Sequence, residues 1–160
     1  MTARLWLAAT ACALLSLVGC ATTPAPQTVA ETTASRPELS TLNKLVNESG
    51  LAETLKGPGP FTMFAPTDEA FKAIPPATME KLAKDKELLK SVLSFHVVNN
   101  KLAAAEVKNG NVKSMQGTNL AVSKSGDFVT VEDAVVTQAD VLATNGVVHE
   151  IDRVLMPPHK

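Results

Sequence analysis

The stretch Phe61 to Phe71, FTMFAPTDEAF, decides how the folded part of this 160-residue chain is read. Phe61, Met63 and Ala65 alternate with Thr62 and Phe64, so either face of a pleated strand can be buried. Pro66 cannot donate to a ladder and stops the strand. Thr67 is a good helix N-cap, and Asp68 and Glu69 bring negative charge into a first turn, where the helix dipole favours it. The stretch is therefore a strand handing over to a helix. Its counterpart, Asn145 to Pro158, reads NGVVHEIDRVLMPP. Asn145-Gly146 predicts a tight hairpin turn with positive φ angles, an apolar strand run follows, and Pro157-Pro158 closes it.

These two blocks resemble the signatures of the fasciclin (FAS1) domain, which read like GPFTVFAPTDEAF and NGVIHVIDKVLLP. Gly59 to Phe71 and Asn145 to Pro157 match them nearly residue for residue. A Tyr-His pair of the family stands here as Phe95-His96 in LSFHVV, without the tyrosine hydroxyl. The likeness covers roughly residues 38 to 157. It implies an α+β fold, a compact β-sandwich or wedge with several helices packed along it. It also marks Phe61, Phe64, Pro66, Thr67, Asp68, Phe71, His96, Asn145, Gly146, His149 and Asp152 as positions of the structural motif.

The N-terminus reads as an export signal over residues 1–19. Arg4 supplies the positive charge, and the apolar run Leu5 to Leu17 falls short of the ~20 residues a membrane-spanning helix needs. Leu17-Val18-Gly19-Cys20 looks like a bacterial lipobox, which makes the Cys20 thiol the acylation site. Cleavage there discards Cys12 and leaves one cysteine, so no intramolecular disulfide is possible in the mature chain. Ala21 follows the cysteine instead of an aspartate, which favours the outer membrane in a Gram-negative host.

Residues 20–37 then read as the lipidated cysteine and a flexible linker. ATTPAPQTVAETTASRP has no long aliphatic run with which to offset ordering, and its 17 residues would reach ~50 Å at ~3.1 Å each. Residues 38–157 form one domain with a real core, and 158–160 a tail. Without the signal the formal charge is about −2, and no basic block alternates with aromatics, which together are only 4% of the chain. That speaks against nucleic-acid binding.

Within the domain, helical periodicity runs from Leu39 to Leu55 with a break at Gly50. Pro75-Pro76 can open another helix and Asp85 can cap a further one. The glycosylation sequon Asn47-Glu48-Ser49 falls on the first of these helices, where coincidence explains it better. From His96 onward the pattern turns to strands: His96 to Val98, Val112 to Gln116, Leu120 to Lys124, Phe128 to Glu132, Val135 to Ala143 and Val147 to Leu155. Helices first and strands after give an α+β class.

Chemistry-bearing residues are few. His149 shares a strand face with Val147 and Ile151, which points to a neutral, hydrogen-bonded, structural imidazole. There is no H-E-x-x-H, paired C-x-x-C or calcium-loop spacing, no G-x-S-x-G elbow and no phosphate-cradling glycine motif. No metal or cofactor is expected, and no enzyme. The fasciclin resemblance adds a proposed recognition element, an Asp-Ile pair just before the second block, whose place is taken by Asp140-Val141. It implies an adhesive contact in which the apolar residue supplies burial and the carboxylate register; the competing reading is a core valine beside a solubilising aspartate.

The expected function is that of a lipid-anchored envelope protein with a non-enzymatic macromolecule-binding head. Its partners would be a membrane, through Cys20, and an envelope or extracellular protein or glycan. The alternative is a carrier of a small apolar ligand such as a carotenoid, held between helices and sheet; an enzyme using His96 or His149 with a carboxylate is the weakest reading. If Cys20 carries the anchor, Cys20→Ser blocks processing. Mass analysis of the expressed protein should then find the uncleaved precursor in place of the acylated mature chain.

Overall fold

The computed structural model describes residues 27–157. Cys20, the expected signal and the tail 158–160 lie outside the described residues. The frame is a parallel strand pair, β1 (Phe61–Pro66) and β7 (Gly146–Ile151), with Phe61 opposite Gly146 and Pro66 opposite Ile151. Parallel strands require cover on both faces. Accordingly every residue of β7, and all of β1 after Phe61, is buried.

The other strands are β2 (Val97–Val98), β3 (Gly110–Lys113), β4 (Asn119–Ser125), β5 (Phe128–Val131) and β6 (Ala134–Ala143). Together they make a seven-stranded sheet in the order β2-β1-β7-β6-β5-β4-β3, and a bridge between Val98 and Ser114 brings its two edges together. The expected sandwich-like wedge is thus one sheet curled nearly shut. Two strand ends differ from expectation. β3 ends at Lys113, before a turn over Ser114 to Gly117. β7 ends at Ile151, because Asp152 turns back onto β6: its Oδ1 accepts the Val135 N–H at 2.8 Å and its own N–H donates to the Val135 carbonyl at 3.1 Å.

Helices α2 (Ser40–Ser49), α3 (Leu51–Leu55), α4 (Asp68–Lys72), α5 (Pro76–Lys84) and α6 (Lys86–Phe95) lie where the periodicity and caps put them. Thr67 caps α4 by accepting from the Ala70 N–H, and Asp85 caps α6 by accepting from Glu87 and Leu88. Asp68 does more than charge its own helix. Its carboxylate accepts from the Ser40 hydroxyl at 2.6 Å and the Thr41 N–H at 2.8 Å, capping α2, whose own N-cap residue, Leu39, has no side-chain bond to give. Burial pushes that carboxyl up, but these bonds outweigh it and hold it below the usual carboxylate value.

Strand alternation splits the core in two. Met63, Ala65 and Val148 face the helices, packing with Leu42, Leu45, Val46, Leu55, Phe71, Leu89 and Leu93. Phe64 and Ile151 face into the curled sheet with Leu120, Val122, Val129 and Val131. Phe95 joins this second core and is fully buried, so a hydroxyl at that position would have to find a partner among apolar neighbours.

The expected linker is shorter than its composition suggested. Val29–Ala34 form a helix, α1, opened by a capping box between Thr28 and Glu31. Val29, Ala30, Thr32 and Thr33 are buried against the domain. Arg36 pairs with Glu150 of β7, a buried carboxylate, and also bonds Glu38 and Gln138 at 3.1 and 3.2 Å. A polar, alanine- and threonine-rich segment orders here because the domain supplies the apolar surface and the charge that it lacks by itself.

The hairpin between β6 and β7 also differs from expectation. Its two turn residues are Thr144 and Asn145, with Ala143 opposite Gly146, and neither has a positive φ. Gly146 is required for a different reason: a Cβ there would stand 2.0 Å from the Phe61 carbonyl oxygen, and one on Gly59 2.1 Å from the Asn145 oxygen. The backbones touch. Asn145 uses that closeness: its Oδ1 accepts from Val29 N–H at 2.8 Å, and its Nδ2 donates to Leu55 and Gly57 carbonyls at 2.7 Å each. Its own carbonyl accepts from Phe61 N–H at 3.0 Å. Asn145→Ala should therefore lower unfolding free energy by about 3 kcal/mol, since three bonds are lost and backbone groups are left unpaired in a part-buried site. Denaturant titration of the two proteins measures it; a loss under ~0.5 kcal/mol would contradict this role.

Candidate functional site: two histidines and the bulge of β6

His149 projects from β7 into a small polar junction. Its Nε2–H donates to the Leu102 carbonyl at 2.6 Å, and its Nδ1 accepts from the Asp140 N–H at 3.1 Å. Its ring stacks on Phe64, with centroids 5.7 Å apart and planes 25° from parallel. β6 makes this possible by bulging twice between Val136 and Val141, with Asp140 at φ 55°. An aspartate tolerates that left-handed conformation better than most residues. The Asp140 carboxylate accepts from the Ala104 N–H at 2.7 Å. Asp140 and His149 together thus pin the 102–104 loop to the sheet.

His96 repeats the arrangement at the C-cap of α6. Its Nδ1–H donates to the Val92 carbonyl at 2.8 Å and its Nε2 accepts from the Leu155 N–H at 2.9 Å. The backbone partners fix the tautomers: Nε2–H in His149 and Nδ1–H in His96. Burial depresses both imidazoles, opposed in each by the carbonyl bond, and His96 is brought down to about 4. Both rings are neutral, with each nitrogen engaged. Neither can take a proton from a substrate or ligate a metal without giving up a backbone bond. Among the described residues no group of three or more His, Cys, Asp or Glu could hold a metal ion.

The motif residues therefore converge on architecture. Phe61, Asn145 and Gly146 form the strand junction; Pro66, Thr67, Asp68 and Phe71 form the passage from β1 to α4; Phe64 and His149 stack; Asp152 ties β6 to β7. Val141 is half-buried and packs against the helix-side core. The exposed neighbour is Leu142, at 70%. The Arg36–Glu150 pair was missed by the sequence reading, although one acid inside the apolar run GVVHEI is a visible signal. Burial raises the Glu150 carboxyl and Arg36 lowers it, with the rise prevailing.

Both depressed histidines favour the native state above their unfolded value of about 6.5 and oppose it as they are forced to charge. For His96 that contribution is present in full above pH 6.5 and is lost as pH falls toward about 4, a change on the order of 3 kcal/mol. Equilibrium unfolding between pH 7.5 and 4 should show this loss, and His96→Gln should flatten the dependence.

No helix among the described residues is long and apolar enough to cross a membrane. The Fasciclin domain family model matches residues 37–157. Protein sll1483 of Synechocystis is 41% identical over 145 residues, covering 89% of this chain and 81% of that protein. The cell surface glycolipoprotein MPB83 of Mycobacterium bovis is 37% identical over 135 residues, 81% of this chain and 60% of the relative. Among solved structures, the FAS1 domain pair from the insect cell adhesion molecule Fasciclin I superposes with a TM-score of 0.65 at 19% identity, over 82% of this chain and 51% of that one. With the paired signature blocks, the curled sheet and the family match together, the chain belongs to the fasciclin domain family.

Proposed function

We propose that this protein is exported, anchored through lipid on Cys20, and serves as a non-enzymatic binding head for a protein or glycan of the cell envelope. The observation that carries the binding reading is the outer flank of β6. Its register with β5 ends at Val135, while the strand continues to Ala143. Along that overhang Thr137 to Asp140 are exposed, and Leu142 presents a large apolar side chain to solvent. The bulges and the His149 junction hold it in one shape, so a partner meets a preorganised surface. Leu142 supplies burial and Asp140 a charge that sets register, in place of the Asp140-Val141 pair. A cell surface glycolipoprotein among the relatives and a cell adhesion molecule with the same fold support this assignment.

The carrier alternative has one feature in its favour, an open groove of about 430 Å³ lined by Ala70, Ile74, Pro75, Val154 and Met156 beside Arg153 and Asp133. A stoichiometric chromophore in protein purified from its host would replace the adhesion reading with this one. For adhesion, immobilised residues 27–160 should retain a component of host envelope extracts. Leu142→Asp should cut that retention by about tenfold or more, the equivalent of ~1.4 kcal/mol, with the melting temperature unchanged. Equal retention by both proteins removes the β6 flank from the function.

A further inference from the structure

The fastening of α1 changes where a tether can begin. From Gln27 onward the chain is part of the head. The Gln27 carbonyl accepts from Thr144 N–H at 2.8 Å, Val29 N–H is held by Asn145, and Arg36 closes on Glu150. Seven peptide steps separate Cys20 from Gln27. Whatever their conformation, they span at most about 25 Å, against about 60 Å for a fully extended linker reaching to Pro37.

Gln27 leaves the head at one defined pole. That pole is the Thr144–Asn145 turn together with Lys56 to Pro60, whose Leu55 and Gly57 carbonyls Asn145 holds. Gln27, the segment Lys56-Gly57-Pro58-Gly59-Pro60 and Thr144-Asn145 carry one cation, Lys56, which pairs with the exposed Glu53 at 3.0 Å. The ion pair balances the charge there, so this pole can approach anionic lipid headgroups without net repulsion. The groove beside Asp133, Arg153 and Met156 lies past the far end of β7, about 20 Å up the strand direction. To turn that end downward, the six residues between Cys20 and Gln27 would have to run back along the flank of the head at nearly full extension.

We propose that the Thr144–Asn145 pole is a membrane-apposed surface, its partner the bilayer that holds the acyl chains of Cys20, so that the head stands close to its own membrane in a fixed sense with the Arg153 end outward. This rests on the lipid-anchor reading above. The short spacing makes the head a reader of its immediate membrane surroundings and not of distant surfaces, and the β6 flank, which ends at the same pole, would meet partners near the membrane.

The full acylated chain, purified in detergent and reconstituted into phosphatidylethanolamine/phosphatidylglycerol vesicles with a nickel-chelating lipid, provides the test. Lys56→Cys marks the pole and Asp133→Cys the far end; both sites are exposed, and acylation occupies the Cys20 sulfur, so the new thiol alone takes a nitroxide. Mass analysis of the N-terminus comes first. An unacylated Cys20 overturns the anchor reading and this proposal with it. With acylated protein, spin relaxation by the lipid-bound nickel should be several-fold stronger at residue 56 than at 133. Inserting roughly a dozen Gly/Ser residues between Pro26 and Gln27 should largely erase the contrast. Equal relaxation at both sites with the native spacing overturns the orientation while leaving the anchor intact.

Discussion

The contact between Asn145-Gly146 and the start of β1 is the constraint on which the rest of this molecule depends. Two backbones meet there with no room for a Cβ at Gly146 or Gly59. That closeness sets the parallel register of β1 on β7, starting with Phe61 opposite Gly146. The Asn145 side chain then ties the same point to α1, to the end of α3 and to the loop before β1. One amide thus joins segments far apart in sequence. A parallel pair joined by a long crossover has no local turn to set its register, so a fixed junction at one end has to do so.

The two histidines do comparable work at the other seams. His96 ties the end of α6 to the chain after β7, and His149 ties the middle of β7 to β6 and to the 102–104 loop. A neutral imidazole can donate on one side and accept on the other, which lets it join a carbonyl and an N–H that would otherwise be buried unpaired. Few side chains bridge that span within an apolar setting. The same feature makes the fold sensitive to acid.

Arg36 and Glu150 extend the head beyond the family-matched segment, which starts at residue 37. Burying a carboxylate and a guanidinium costs desolvation that their attraction barely offsets, so the pair is a weak source of stability. Its effect is positional. An unpaired Glu150 on a buried strand would be costly, and the arrival of Arg36 relieves it by bringing the preceding helix into place. In the anchored form proposed above, the six residues between Cys20 and Gln27 would set how near the head stands to a membrane.

By itself the sequence determined the fold class, the order of helices and strands, and the caps at Thr67 and Asp85. These follow from local rules, periodicity and cap chemistry, together with two signature blocks that are contiguous in the chain. The tertiary structure alone decided matters that depend on pairs distant in sequence. Asp68 caps a helix that starts 28 residues earlier. Gly146 is glycine because of Phe61 and not because of its own turn. Val141 packs on the helix-side core while Leu142 is exposed because β5 stops pairing at Val135 and leaves the end of β6 uncovered, which local alternation cannot foresee. The segment before Pro37 has too little apolar surface to order in isolation, and composition therefore assigned it to a linker. It orders because β7 offers a buried acid and an apolar face, and only the assembled sheet brings those within its reach.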